Sequence, residues 1–246
     1  MKKFELTTES ITNVAGKKLF RIKALVEFGN VEAGELGGYV EKEGNVSQNG
    51  NAWVYGHAKV FGNAEVSDNA KVSGNAWVYG NTAVLGNAWV HGYAKVSDNA
   101  YVYGNAKVSD NARVFGNAEV SGNAWVSGDA RVSGYARVSG YARVFGDAKV
   151  SGYARVSGNA KVSDNARISD NADYALVQGY GTEFRCTTFY RGKNKKIMVN
   201  CGCFHGDLEG FRKQVKKTRN GKIAKEYLMV ADLMEYHFVS EDSGDE

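Results

Sequence analysis

The chain contains no proline in 246 residues. Proline cannot donate to a β-ladder, so its absence suits strands that are hydrogen-bonded on both edges. Cysteine is scarce at three residues, an odd number that makes no disulfide framework, and the expected setting is a reducing one, the cytoplasm. No apolar run approaches the roughly 18 residues that span a bilayer, so no membrane partner is expected. The opening Met-Lys-Lys-Phe-Glu-Leu has basic residues but no apolar signal core behind them, so no leader peptide is expected either. Large aliphatic side chains are few. Hydrophobic residues make up 43% of the chain, but in its middle they are mostly Ala and Val, which permits only a narrow core.

What the chain has in abundance is repetition. From Trp53 to Asp170 it follows a six-residue unit, Ala-x-Val-x-(Gly/Asp)-(Asn/Tyr/Asp), and its aliphatic position recurs without a slip from Val54 to Ile168, twenty times in all. Such a period marks a solenoid. An alanine precedes nearly every aliphatic by two, so alternation puts both on one side of a strand and the variable residues on the other. Gly, Asn and Asp punctuate the unit, and these residues tolerate left-handed backbone at a corner. The six-residue period leaves open whether two or three units close a coil. Trp53, Trp77, Trp89 and Trp125 are spaced by multiples of twelve, which fits a two-sided solenoid or duplication of a longer unit.

Three parts are expected along the chain. Residues 1–45 lack the unit and read as strands at Phe4–Thr7 and Leu19–Val26 with a turn near Gly16, an N-terminal β cap for an otherwise bare solenoid end. Residues 46–173 form the solenoid; Val40 and Val46 begin the spacing, and a two-residue slip near Gln48-Asn49-Gly50 precedes the perfect register. Residues 174–246 form a small α+β domain with an acidic tail. Its expected elements are strands at Glu183–Arg191 and Lys196–Phe204 around Gly192-Lys193-Asn194, a helix over Leu208–Thr218 capped by Asp207, and a helix or strand over Ala224–Phe238. Charge is uneven: residues 1–45 balance, whereas 174–240 hold twelve bases against six acids.

The unit Val-Ser-Asp-Asn-Ala-Lys resembles the hexapeptide repeat of left-handed parallel β-helices. That superfamily includes trimeric acyltransferases using acyl-CoA or acyl-carrier protein, and the resemblance implies three units per 18-residue coil and a homotrimer. The flanking Gly34-Glu35-Leu36-Gly37-Gly38-Tyr39-Val40-Glu41, Gly50-Asn51-Ala52-Trp53-Val54-Tyr55, Thr188-Phe189-Tyr190-Arg191 and Cys201-Gly202-Cys203-Phe204 look like segments of solenoid proteins common in bacteriophages and prophages. This second resemblance implies a phage or prophage origin and action in the host cytoplasm. It implies no reaction.

With 18-residue coils, one outward column reads Trp53, Lys71, Trp89, Lys107, Trp125, Arg143, Lys161. At a spacing of about 4.8 Å its rings and cations lie in cation–π range. Trp77, Tyr55, Tyr79, Phe61, Tyr101 and Tyr103 extend an aromatic surface that stabilises the solenoid, packs subunits or receives a partner. A basic run from Arg131 through Arg137, Arg143, Lys149, Arg155 and Lys161 to Arg167, interleaved with Tyr135, Tyr141 and Tyr153, has the residue types that grip phosphates and stack bases. Asp129, Asp147, Asp164 and Asp170 fall near corners, where they cap backbone. Cys186, Cys201, Cys203 and His205 are the nearest thing to a zinc set, but Cys-x-Cys lacks the usual spacing and buried thiols filling a core account for them. No cofactor and no metal are expected. His91, beside Trp89, is the nearest candidate for an acyltransferase base; His57, His205 and His237 are the other histidines. The expected function is non-catalytic: a rigid β-helix surface bound to a host component, a protein or a small anionic ligand, with interference in a host or defence process as its setting. An acyl-CoA-dependent acyltransferase and a nucleotide or nucleic-acid binder are the alternatives.

Overall fold

A computed structural model describes residues 1–182, 184–193 and 195–238. The acidic tail, the expected strand start at Glu183 and the expected turn residue Asn194 lie outside the described residues. Two-residue strands recur every six residues, and each pairs in parallel with the strand 18 residues on: Val54 with Val72, Val72 with Val90, Val90 with Val108. Three units therefore close one coil, and the chain winds a three-faced β-solenoid of about seven parallel turns. Both inward positions of each unit are buried, and the interior is a stack of alanines and valines. Thr82 takes an alanine's place, and its buried hydroxyl has no hydrogen-bond partner among the described residues.

The corners explain the rest of the unit. The residue two after each aliphatic is Gly or Asp, and from residue 56 to 164 it has positive φ. At Asp68, Asp98 and Asp110 the carboxylate repays the strain by accepting the N–H of the corner glycine one coil on, Asp68 from Gly86 at 2.8 Å and Asp98 from Gly116 at 3.0 Å. The next residue is often Asn, and these amides form ladders up two of the corners. Asn51, Asn69, Asn87 and Asn105 each donate Nδ2 to the Oδ1 of the next, ending at Asn123, at 2.9–3.2 Å; Asn63, Asn81 and Asn99 do the same, ending at Asn117.

At the N-terminal end β1 (Phe4–Thr12) and β2 (Lys18–Ala24) form an antiparallel hairpin, and β3 (Leu36–Val40) joins β2 to the parallel ladder. Val40 pairs with Val60 and Val46 with Val66, an offset of 20 that absorbs the two-residue slip. The extra loop carries Gln48, whose Oε1 accepts from the Lys3 and Phe4 amides and whose Nε2 donates to the Phe4 carbonyl. The slip is thus the clasp of the cap.

At the other end lies an antiparallel sheet of β4 (Tyr174–Tyr180), β5 (Arg185–Arg191), β6 (Ile197–Cys201) and β7 (Phe204–Asp207), covered by α1 (Leu208–Thr218) and α2 (Gly221–Phe238). Asp207 caps α1 by accepting the Gly210 amide at 2.8 Å, and Leu208, Phe211 and Val215 are its buried face. β4 follows the last unit directly, where the repeat gave no expectation of a strand. The sheet docks on the final coil through side chains that stand in for a further coil. Thr188 Oγ1 accepts the Lys161 amide, and Asn200 Nδ2 donates to the Lys161 carbonyl, both at 2.9 Å. Tyr190, fully buried, meets Ser163 Oγ at 3.0 Å. Among the described residues no helix is long and apolar enough to cross a membrane.

Candidate binding surfaces

The three faces carry different chemistry, and a coil of three units decides which residue goes where. The tryptophan face carries the expected column: Trp53 registers with Lys71, Lys71 with Trp89, and so on through Lys107, Trp125 and Arg143 to Lys161. Lys107 lies 6.0 Å from the Trp89 ring centroid and Arg143 5.7 Å from that of Trp125. Both indoles are held in the same pose, because Nε1 donates to the serine hydroxyl of the preceding coil, Ser73 or Ser109, at 2.9 Å. His91 sits against Trp89 with ring centroids 4.3 Å apart. Burial pulls its pKa below the ordinary histidine value, and no carboxylate hydrogen-bonds its ring among the described residues.

Two expectations about the aromatic surface need correction. Trp53 is fully buried, not exposed: the cap lays Phe4 and Phe28 edge-on against its indole at 5.8 and 5.3 Å. Trp77 belongs to a different face, where it is flanked by Lys59 and Lys95 at 5.3 and 4.9 Å and packs with Phe61, itself stacked on Tyr79. Leu19 and Tyr39 of the cap cover that cluster. Of the aromatic candidates, Tyr55 is half-buried at the cap, and Trp89 and Trp125 present exposed rings on one face.

The basic run does not form one ladder. Arg131, Arg137 and Arg143 are consecutive in the repeat, so each points from a different face. A cation ladder does exist, but it follows the 18-residue coil: Lys95, Arg113, Arg131, Lys149 and Arg167 are directly opposite one another on five successive strands of the basic face. Among the described residues none of the five forms an ion pair with a carboxylate; Arg167 donates to the Asp147 and Ala166 carbonyls. Asp129 and Asp147 follow the corner glycines, exposed beside this ladder, instead of capping backbone. Asp164 does occupy a left-handed corner, and Asp170 caps the 3-10 turn at Asn171–Asp173. On the third face Arg137 pairs with Glu119 at 3.3 Å and registers with Arg155, while Tyr135 and Tyr153 stack at the adjoining corner with centroids 5.2 Å apart. Tyr141 stands at another corner, exposed. Earlier on the third face Ala83, Leu85, Tyr101 and Tyr103 form a small apolar patch.

The cysteines and His205 do not converge. Thr187, not Cys186, registers with Cys201 and donates to its sulfur. Cys201 and Cys203 line a small crevice beneath α1 and α2 with Arg185, Arg219 and Tyr227. His205 turns to the solenoid side, where Nε2 meets Asp164 Oδ2 at 2.7 Å and the Tyr190 hydroxyl at 3.2 Å. No group of three His, Cys, Asp or Glu side chains suited to a metal occurs among the described residues. With Ser163 and Asn200, His205, Asp164 and Tyr190 form the polar clasp between the two parts of the chain.

Sequence reasoning missed the asparagine ladders and a groove that one of them borders. Asn69 and Asn87 form one wall, Lys71, Trp89 and Lys107 the other, and Tyr55 with the cap loop Gly29–Asn30 closes the end. The signal was present, since Asn51, Asn69 and Asn87 recur every 18 residues, but it is read only once the coil length is known. A family model described as YdcK beta solenoid repeat matches residues 124–140, so this stretch of the solenoid is similar to that repeat. The curated proteins searched include no match to the chain.

Proposed function

We propose that this chain is a non-catalytic binding protein that lays the basic face of its solenoid along an extended anionic surface of a host component. The phage or prophage setting and the host cytoplasm rest on the resemblance of the flanking segments. The observation that carries the reading is the ladder of Lys95, Arg113, Arg131, Lys149 and Arg167. Like charges directly opposite on neighbouring strands are destabilising, so five in succession, with no paired carboxylate among the described residues, hold a cost that an anionic partner relieves. The Lys95, Arg113, Arg131 and Lys149 amides are hydrogen-bonded to the next coil and the corners are fixed, so little ordering entropy is lost on binding.

The test is fluorescence anisotropy with labelled oligonucleotides and labelled polyglutamate over a range of salt. Affinity for one of them should fall linearly in log–log form with salt, as counterion release requires. The double reversal Arg113→Glu/Arg131→Glu should weaken it at least tenfold, while Arg137→Glu/Arg155→Glu on the third face should change it by less than threefold. Equal losses from both pairs would show a diffuse charge effect and remove the face-specific reading. The superfamily resemblance also implies a homotrimer, and the Ala83, Leu85, Tyr101, Tyr103 patch is the surface that favours it. Light scattering should then give a trimer mass for the wild type and a monomer for Tyr101→Glu.

A further inference from the structure

We infer that the groove beside Trp89, where the tryptophan face meets the N-terminal cap, is a binding site for a nucleoside phosphate. The site lies on a different face from the cation ladder and stands on its own observations. It is an open groove of about 330 Å³, at the small end of the range of ligand pockets.

The chemistry of the walls selects the ligand class. Trp89 supplies an aromatic surface whose pose is set by the Nε1 bond to Ser73, so the ring is fixed before anything binds. Lys71 and Lys107 register with Trp89 from the strands on either side, their backbones about 4.8 Å up and down the face from it, and the Lys107 ammonium lies 6.0 Å from the ring centroid. An indole bracketed by two cations matches a flat heterocycle joined to an anion. The opposite wall is the asparagine ladder. Asn69 donates Nδ2 to Asn87 Oδ1, and Asn87 to Asn105, each at 3.1 Å. Each amide spends one N–H and one lone pair on the ladder and keeps a second of each. A row of alternating donors and acceptors opposite an aromatic ring is suited to the edge of a base, as amide side chains are in nucleic-acid readout.

The closed end argues for a mononucleotide or a strand terminus. Gly29 packs on the first ladder residue, where a Cβ would come 3.2 Å from Asn51 Cβ, and Tyr55 sits beside it, half-buried. A chain of nucleotides cannot run through this wall. Further along the same face Trp125 has the same indole–serine bond, yet it has no cap loop and does not line the groove. It is a built-in control.

Isothermal titration of the full chain with nucleoside 5′-monophosphates, the parent nucleosides, ribose 5-phosphate and inorganic phosphate tests the assignment. At least one monophosphate should bind tenfold or more tightly than its nucleoside and than ribose 5-phosphate. Trp89→Ala should lose it and Trp89→Phe should keep part of it. Lys71→Gln/Lys107→Gln should erase the advantage of the phosphate but spare the nucleoside, and Trp125→Ala should bind as the wild type does. The cation-ladder variant Arg113→Glu/Arg131→Glu should also bind normally, so this site and the basic face fail or succeed separately. Absence of binding by every monophosphate at millimolar concentration overturns the inference. So does equal binding by ribose 5-phosphate, or retention of affinity in a folded Trp89→Ala variant.

Discussion

The corner residue decides whether two coils can lie one strand spacing apart. At Gly128, with φ of +66°, a Cβ would come 2.9 Å from the amide nitrogen of Gly146. Alanine there meets both the left-handed penalty of about 1–2 kcal/mol and a backbone clash. Yet Asp110 occupies the preceding corner of the same column, with its carboxylate accepting the Gly128 N–H at 3.0 Å. Aspartate thus exchanges the strain for a bond that alanine cannot make. Gly128→Ala should therefore lower unfolding free energy by roughly 2 kcal/mol, and Gly128→Asp by less, measured by urea titration. Aspartate costing as much as alanine would mean that the inter-coil bond contributes nothing, and the Gly/Asp alternation would then lack a physical reason.

Each cap is an element that answers for one open end. Lys3 is almost wholly buried in the N-terminal one, donating to the Ala52 carbonyl at 2.9 Å over the Phe28 ring, and burial lowers its pKa from 10.5 to about 8. Between those pH values the unfolded chain holds a proton that the folded chain has released, so Lys3 makes stability rise with pH across that window, and the effect is flat below it. The contribution is on the order of 3 kcal/mol. A wild-type minus Lys3→Met difference in unfolding free energy that grows from pH 8 to 10 is the expected result; a flat difference would show the ammonium to be solvated. The caps are also where sequence reading stops short. Trp53 and Trp89 occupy the same column and look alike in the repeat, and only the docked Phe4 and Phe28 make one core and the other surface. Tyr174–Tyr180 carries no unit and no clean alternation, so its pairing with Arg185–Arg191 is tertiary information. Asp207, by contrast, announces α1 through local chemistry alone, and the structure begins the helix at Leu208.

On the scale of the molecule, stacking neighbours separates what the repeat looks like from what it displays. Arg131, Arg137 and Arg143 are equivalent in the unit but diverge by one face each, whereas Lys95, Arg113 and Arg131, far apart in sequence, align. Deletion tests this directly, because a solenoid tolerates loss of whole repeats. Removing Asn111–Gly128 takes out one complete coil: Lys95 then registers with Arg131, and the ladder shortens by one cation without changing sign. Removing the single unit Asn111–Gly116 keeps every corner but advances the later residues by one face, so Arg131, Lys149 and Arg167 move behind Lys107 on the tryptophan face, while Glu119, Arg137 and Arg155 follow Lys95. Both proteins should fold, with circular dichroism of the β type and somewhat lower thermal midpoints. Both should keep polyanion binding with the salt slope reduced by about one contact, but Lys95→Glu should weaken it in the coil deletion and Lys107→Glu in the unit deletion. The two variants differ little in net charge, so equal losses from Lys95→Glu and Lys107→Glu in both would place recognition in the total charge, and losses that swap with the deletion would place it in the alignment of cations that the 18-residue coil creates.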